Sequence, residues 1–216
     1  MLIARDIKKR YGTLEVLKGI DLTINKGEIV SIVGASGAGK STLLQILGTL
    51  DKPDSGQVLL NDENVFELSE KDLAKFRNRK LGFIFQFHNL FAEFTALENV
   101  CMPAFIKGGD DKQSKKRGEY LLDLLGLKDR LTNLPSQLSG GEQQRVAIAR
   151  AIMNEPEIVF ADEPSGNLDS KNANELHELF FKLRDELKQT FVIVTHNQSL
   201  ANMTDRKLVM EDGRLL

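Results

Sequence analysis

The chain has 216 residues, a formal net charge of −2, 41% hydrophobic residues and 28% charged ones. That length supports one substantial domain, and so even a charge balance excludes the broad basic field by which proteins hold nucleic acid. The single cysteine, Cys101, excludes an internal disulfide, and no run reaches the roughly 18 apolar residues of a membrane-spanning helix. Met1 to Asp6 lacks the charged-then-apolar pattern of a signal peptide, so a cytosolic protein is expected.

Short strands are predicted at 2–7, 16–24, 28–33 and 57–60, with turn signals at 25–27 and 51–56 between them. The third strand runs into Gly34-Ala35-Ser36-Gly37-Ala38-Gly39-Lys40-Ser41, and Thr42 then opens a helix-like stretch to Leu47. The spacing G-x-x-x-x-G-K-[ST] between a strand and a helix is that of a phosphate-binding loop. Its glycines let backbone N–H groups and the helix N-terminus close on phosphate oxygens. In such a loop Lys40 reaches the β- and γ-phosphates and Ser41 holds Mg²⁺. The chain is therefore expected to bind a nucleoside triphosphate.

A charged helix follows, opening with Ser69 and Asp72, and leads to a strand over 81–86. The middle, about 95 to 154, turns helical. Thr95 and Glu98 form a capping box, and Gly108-Gly109 breaks the chain before a helix whose apolar positions include Tyr120, Leu121, Leu124 and Leu125. Lys112 to Arg117 reads as the solvated start of that helix, and Cys101 as packing. Beyond Pro135 a third helix starts near Ser139. The last quarter alternates again, with strands at 157–161 and 191–195, a long amphipathic helix over 170–189, and a short strand at 207–210. Alternating strands and helices predict an α/β fold with a largely parallel sheet, carrying a helical insertion.

A strand ending in Asp162-Glu163-Pro164 delivers two carboxylates where parallel strands present their ligands. Asp162 is placed for the Mg²⁺ shell, and Glu163 to orient and deprotonate a water aimed at the γ-phosphate. In Leu138-Ser139-Gly140-Gly141-Glu142-Gln143-Gln144-Arg145, Ser139 and Glu142 satisfy a capping box. The two glycines weaken a helix start, so their use is to admit a second phosphate to its amides. A second anion site with neither lysine nor acid makes sense where it completes the pocket of another copy.

In this order, the phosphate loop, LSGGE and the aspartate–glutamate strand end resemble the ATP-binding subunit of ATP-binding-cassette transporters, over essentially the whole chain. The resemblance implies an α/β P-loop NTPase fold, with a RecA-like core, an N-terminal antiparallel β subdomain and an inserted α-helical subdomain. It divides the single domain 1–216 into a core of 1–86 and 156–216 and a helical signature subdomain of 87–155. It makes ATP and Mg²⁺ the ligands and hydrolysis of ATP the reaction. Nucleotide contacts are expected from Tyr11, which stacks on adenine, from Gly34, Ala35, Ser36, Gly37, Ala38, Gly39, Lys40, Ser41 and Thr42, and from Ser139, Gly140, Gly141 and Glu142 of a partner. Mg²⁺ falls to Ser41, Gln86 and Asp162, and catalysis to Glu163, His196, Gln86 and Lys40. Ser165-Gly166-Asn167-Leu168-Asp169 matches the loop that couples the two sites of a head-to-tail dimer.

With no spanning segment, the translocating permease is expected to be a separate chain, docked near residues 87–106 through Phe87, Leu90, Phe91 and Phe94. Gly166-Asn167-Leu168-Asp169 and residues 47–56 resemble the branch of lipoprotein-release, macrolide-efflux and cell-division cassettes, and residues 93–100 resemble its lipoprotein-releasing members most. The branch implies a peripheral subunit on the cytoplasmic face of the bacterial inner membrane. It leaves macrolide or peptide efflux, and signalling to cell-wall hydrolases, as alternative tasks.

Overall fold

Three strands are buried along nearly their whole length, and they form the centre of the computed structural model, which describes residues 1–216. They are β3 (Ile29–Val33), β7 (Ile158–Asp162) and β8 (Thr190–Val194). Flanked by β6 (Leu81–Phe85), β9 (Arg206–Glu211) and β10 (Arg214–Leu215), they make a six-stranded sheet in the order β10-β9-β3-β8-β7-β6. All its pairs are parallel except β9 with β10. A parallel sheet covered on both faces requires apolar residues at successive positions, and these sequences supply them.

The period-two alternation of strand side chains separates two cores. Val30, Ile32, Phe160, Val192 and Val194 pack on one face, against α1 (Lys40–Leu47) and a second sheet. Ile29, Val159, Ala161, Phe191 and Ile193 pack on the other, against α3 (Ala96–Ile106), α4 (Asp111–Leu124), α5 (Gly140–Ile152) and α6 (Ser170–Leu187). The second sheet is antiparallel, ordered β2-β1-β4-β5, from β1 (Leu2–Tyr11), β2 (Leu14–Ile24), β4 (Ser55–Leu60) and β5 (Glu63–Asn64). The helix α2 (Glu70–Lys80) precedes β6, and α7 (Gln198–Met203) precedes β9. The α/β class, the antiparallel N-terminal sheet and the helical insertion are as the sequence predicts.

Some local expectations are corrected. β1 runs on to Tyr11 instead of ending at residue 7, because a bulge at Asp6, whose φ is 46°, shifts its register. Leu2 and Ala4 point inward before the bulge, and Ile7 and Lys9 after it, so simple alternation hid the second half. In α4 the buried apolar side chains are Leu121 and Leu122, with Leu125 just beyond, while Tyr120 is half exposed. α7, β5 and β10 are too short to carry a periodic signal. Cys101 is fully buried, and burial pushes its thiol up to about 11, which fits the packing role expected of it.

Candidate functional site

Parallel registry sets the level at which the strands end. Phe85 pairs with Asp162, Asp162 with Val194, and Val194 with Ile32. The residues that follow, Gln86, Glu163, His196 and the Gly34–Ser41 loop, therefore leave the sheet at one edge, the C-terminal edge where open α/β sheets bind ligands.

The loop needs its glycines for distinct reasons. At Gly34 a Cβ would overlap the Met210 carbonyl of β9. Gly39 has φ +99°, and its Cβ would meet Met210, Leu17 and the Val16 carbonyl at 2.9–3.0 Å. A larger residue at either place would push the loop off the sheet. Gly39 is also the first residue before α1, and no side chain caps that helix. Its leading N–H groups are left for a ligand, at the positive end of the helix dipole. Lys40 Nζ donates to the Gly34 and Ala35 carbonyls, both at 2.9 Å, so the ammonium group spans the mouth of the loop.

Ser41 Oγ donates to Asp162 Oδ1 at 3.3 Å, joining the phosphate loop to the acidic strand end. Burial raises the Asp162 carboxyl above its ordinary value, opposed by that hydrogen bond and reinforced by the neighbouring Glu163 charge. A cation beside it would relieve the strain. One hydroxyl and one carboxylate suit Mg²⁺, which keeps several waters and takes its remaining oxygens from phosphate.

Glu163 has φ 46°, an uncommon conformation for a residue with a Cβ, held by its N–H donating to the Val194 carbonyl at 2.9 Å. The turn aims the carboxylate at His196. Glu163 Oε2 lies 2.9 Å from His196 Nδ1 and accepts the His196 backbone N–H at 3.2 Å. Both residues line a cleft of about 610 Å³ with Gly34, Ser36, Gly37, Gly39, Lys40, Ser41 and Thr42. Tyr11, Leu14, Val16 and Val194 complete it. Leu14, Val16 and Val194 went unassigned in the sequence, where Val16 and Val194 read as ordinary strand residues and Leu14 fell between two predicted strands.

Two expected groups stand apart from this cleft. Gln86 donates from Nε2 to Asn167 Oδ1 at 3.0 Å, and Asn167 Nδ2 returns a bond to the Gln86 carbonyl at 3.0 Å. That exchange fastens the end of β6 to the 165–169 loop. Arg150 of α5 holds the next residues, donating to the His88 and Asn89 carbonyls at 2.8 and 2.7 Å. Ser139 to Glu142 also lie outside the cleft. There the capping box is complete: Glu142 N–H donates to Ser139 Oγ at 3.3 Å, and Ser139 N–H to Glu142 Oε2 at 2.8 Å. Ser139 and Gly140 are exposed, and the only neighbour a Cβ at Gly140 would meet is Leu168, at 3.9 Å. Arg130 donates to Glu142 Oε1 at 2.9 Å, and the hydrogen bond from the Ser139 N–H and then that of Arg130 hold the Glu142 carboxyl down at about 2.

A groove of about 390 Å³ runs between α2, the edge strand β6 and α3, lined by Arg77, Leu81, Phe83, Phe85, Pro103 and Ile106 among others. Ile106 and Phe87 are each 70% exposed and Phe91 50%, while Leu90 and Phe94 are partly buried. No helix is long and apolar enough to cross a membrane.

The family model described as ABC transporter matches residues 17–166. The lipoprotein-releasing system ATP-binding protein LolD of Cytophaga hutchinsonii is 61% identical over 216 residues, covering 100% of this chain and 99% of its own. The protein of the same name from Bacteroides fragilis is 56% identical, with both chains covered in full. Among solved structures, the dimeric MJ0796 cassette matches with a TM-score of 0.90 and 40% identity, over 100% of this chain and 96% of its own. A dimeric post-hydrolysis state of MJ0796 bound to ADP and Pi matches at 0.89 and 41%, over the same shares.

Proposed function

Because the chain belongs to the ABC transporter family, as its ATP-binding and ATP-hydrolysing subunit, we propose that it powers release of lipoproteins from a membrane through a separate permease. The observation that carries the mechanism is the placement of two helix tips, one inside the cleft and one outside it. The α1 tip shares a cleft with Lys40, Ser41, Glu163 and His196, while the Ser139–Gly141 tip stands outside that cleft, exposed at Ser139 and Gly140 and without a lysine. A pair of copies related head to tail brings the partner's Ser139 tip over each α1 tip, and two-fold symmetry completes both sites alike. ATP is then part of the interface, and its hydrolysis loosens the pair.

Within each site the α1 amides and Lys40 hold the β- and γ-phosphates, and Tyr11 stacks on the base. Ser41, Asp162 and Gln86 would hold Mg²⁺, which would supply neutralisation of phosphate charge. Glu163 orients a water and takes its proton as the oxygen attacks the γ-phosphorus, and the bond to the bridging oxygen breaks to leave ADP. His196 fixes the Glu163 carboxylate and faces the γ-phosphate, and Lys40 carries the charge that develops there. The 165–169 loop couples this centre to its twin.

Residues 87–155 act as a signature subdomain carried on the core of 1–86 and 156–216. The groove beside α2, β6 and α3, lined in part by Ile106, receives a short helix of the permease, and the exposed Phe87 and Phe91 join in the docking. On this reading the chain is a peripheral subunit on the cytoplasmic face of the bacterial inner membrane. The name of its LolD relatives, the lipoprotein-releasing system ATP-binding protein, supports lipoprotein release over efflux or cell-wall signalling.

The test is reconstitution of the chain with its permease in vesicles carrying a lipid-anchored lipoprotein and a soluble acceptor. ATP-dependent transfer to the acceptor, lost in Glu163→Gln, is the expected result. Hydrolysis with no transfer would overturn lipoprotein release while sparing the ATPase.

A further inference from the structure

Charged groups hold the back of the Tyr11 ring. Tyr11 Oη donates to Asp51 Oδ2 at 2.6 Å, and Lys9 Nζ donates to Asp51 Oδ1 at 2.9 Å and to the Lys52 carbonyl at 2.6 Å. Lys9 Nζ also lies over the ring, 5.2 Å from its centroid. Lys9 is only 9% exposed, a burial that lysine tolerates when paired. The bulge at Asp6 produces this arrangement, because it puts Ile7, Lys9 and Tyr11 on one side of β1.

Asp51 belongs to the chain that leaves α1. Its N–H and that of Leu50 both donate to the Gln45 carbonyl, at 3.2 and 2.8 Å. Just beyond, Asp54 N–H donates to the Lys8 carbonyl at 2.9 Å, and Arg10 N–H to Asp54 Oδ2 at 2.6 Å. The strand end that carries Tyr11 is thereby stitched to the helix that begins at the phosphate loop.

We propose that Lys9 and Asp51 are positioning residues that pre-order Tyr11 as the platform for the base, at a fixed distance from the phosphate-binding tip of α1. This rests on the reading of Tyr11 as the base-stacking residue. A ring held at its hydroxyl, with a cation over one face, has one face left for a base and little rotation to lose. Binding then avoids most of the ordering cost of a free aromatic side chain. The hydrogen bond to Asp51, and burial after it, raise the phenol above its ordinary value, so it remains a donor.

The test compares equilibrium binding of ATP with that of inorganic tripolyphosphate, which has no base, to the full chain. Asp51→Ala and Tyr11→Phe are expected to weaken ATP about three- to tenfold, the size of one side chain's ordering cost, and to leave tripolyphosphate within about twofold. For Asp51→Ala the loss falls on KM rather than kcat, and Asp51→Asn, which keeps an acceptor for Oη, recovers most of it. The double variant Tyr11→Phe/Asp51→Ala is expected to be no weaker than its weaker-binding parent. Equal losses for ATP and tripolyphosphate, or no loss for ATP, would overturn the proposal. Tyr11→Ala separates the two layers. If it leaves ATP binding intact, the stacking role itself is wrong; if it alone weakens ATP, only the positioning role is.

Discussion

The two helix N-termini to which the proposed mechanism assigns ATP differ in nearly everything else. The tip of α1 has no capping side chain, follows a loop of glycines pressed against β9, and sits in a cleft with Lys40, Ser41, Glu163 and His196. The tip of α5 carries a complete capping box from Ser139 and Glu142, and Arg130 beside it is spent on Glu142. One tip therefore has what phosphate chemistry needs, and the other offers only amides and small size. A capped, neutral tip stabilises an anion delivered by another surface but cannot process one. On the head-to-tail arrangement proposed above, the asymmetry within a copy is what makes a symmetric pair useful.

The comparison breaks most visibly at the charged tip. Lys40→Ala is expected to reduce turnover on the order of a thousandfold, since a preorganised charge at the transferring phosphate is lost; steady-state hydrolysis reads it, and unchanged turnover would falsify the assigned role. Glu163→Gln is expected to lower hydrolysis on the order of a hundredfold or more while keeping ATP bound, leaving a dimer visible by size-exclusion chromatography with light scattering. A monomer under those conditions would mean that ATP does not bridge two copies.

At the other tip the loss should concern assembly. Ser139→Arg fills the exposed tip and is expected to spare ATP binding by the single chain, while dimerisation fails and hydrolysis falls on the order of a hundredfold. Ser139→Ala is the control, because it removes the same cap at about 1 kcal/mol without filling the tip. If both variants dimerise normally, the α5 tip is a structural cap and nothing more.

The smallest effect concerns acid stability. The Glu142 carboxyl falls from an ordinary 4.5 to about 2 on folding. A group depressed in this way stabilises the fold fully above pH 4.5, and the contribution drains away as pH falls from there towards 2. Thermal melts of the native chain and Glu142→Gln should therefore converge across that window. Curves that stay parallel down to about pH 2 would show that the carboxylate does not support the tip.

Much of the site was legible because it consists of local patterns. The phosphate loop is continuous in sequence, Ser139 and Glu142 are three residues apart, and a strand ending in two acids needs no partner to be noticed. The capping boxes at Thr95 and Ser139 appear in the structure as the spacing requires. What escaped depends on distant chain. Leu14 and Val16 join the cleft because the second sheet packs across α1, and Asn167 meets Gln86 from 81 residues away. The bulge at Asp6 hid Tyr11's strand by inverting the inward face halfway along β1.

Sequence alone determined the chemistry on offer: glycines that admit phosphate, a lysine and hydroxyl to hold it, acids at a strand end, and a second glycine-marked helix start. Those follow from covalent spacing and local backbone preference, which act over a few residues. Only the tertiary structure decided which of these groups share a cleft. Parallel registry brought Asp162, Glu163 and His196 to the phosphate loop, a long-range hydrogen bond to Asp51 held Tyr11, and the Ser139 tip of α5 came to lie outside that cleft. Burial and hydrogen bonding between segments remote in the chain made those choices, and no short stretch of residues contains them.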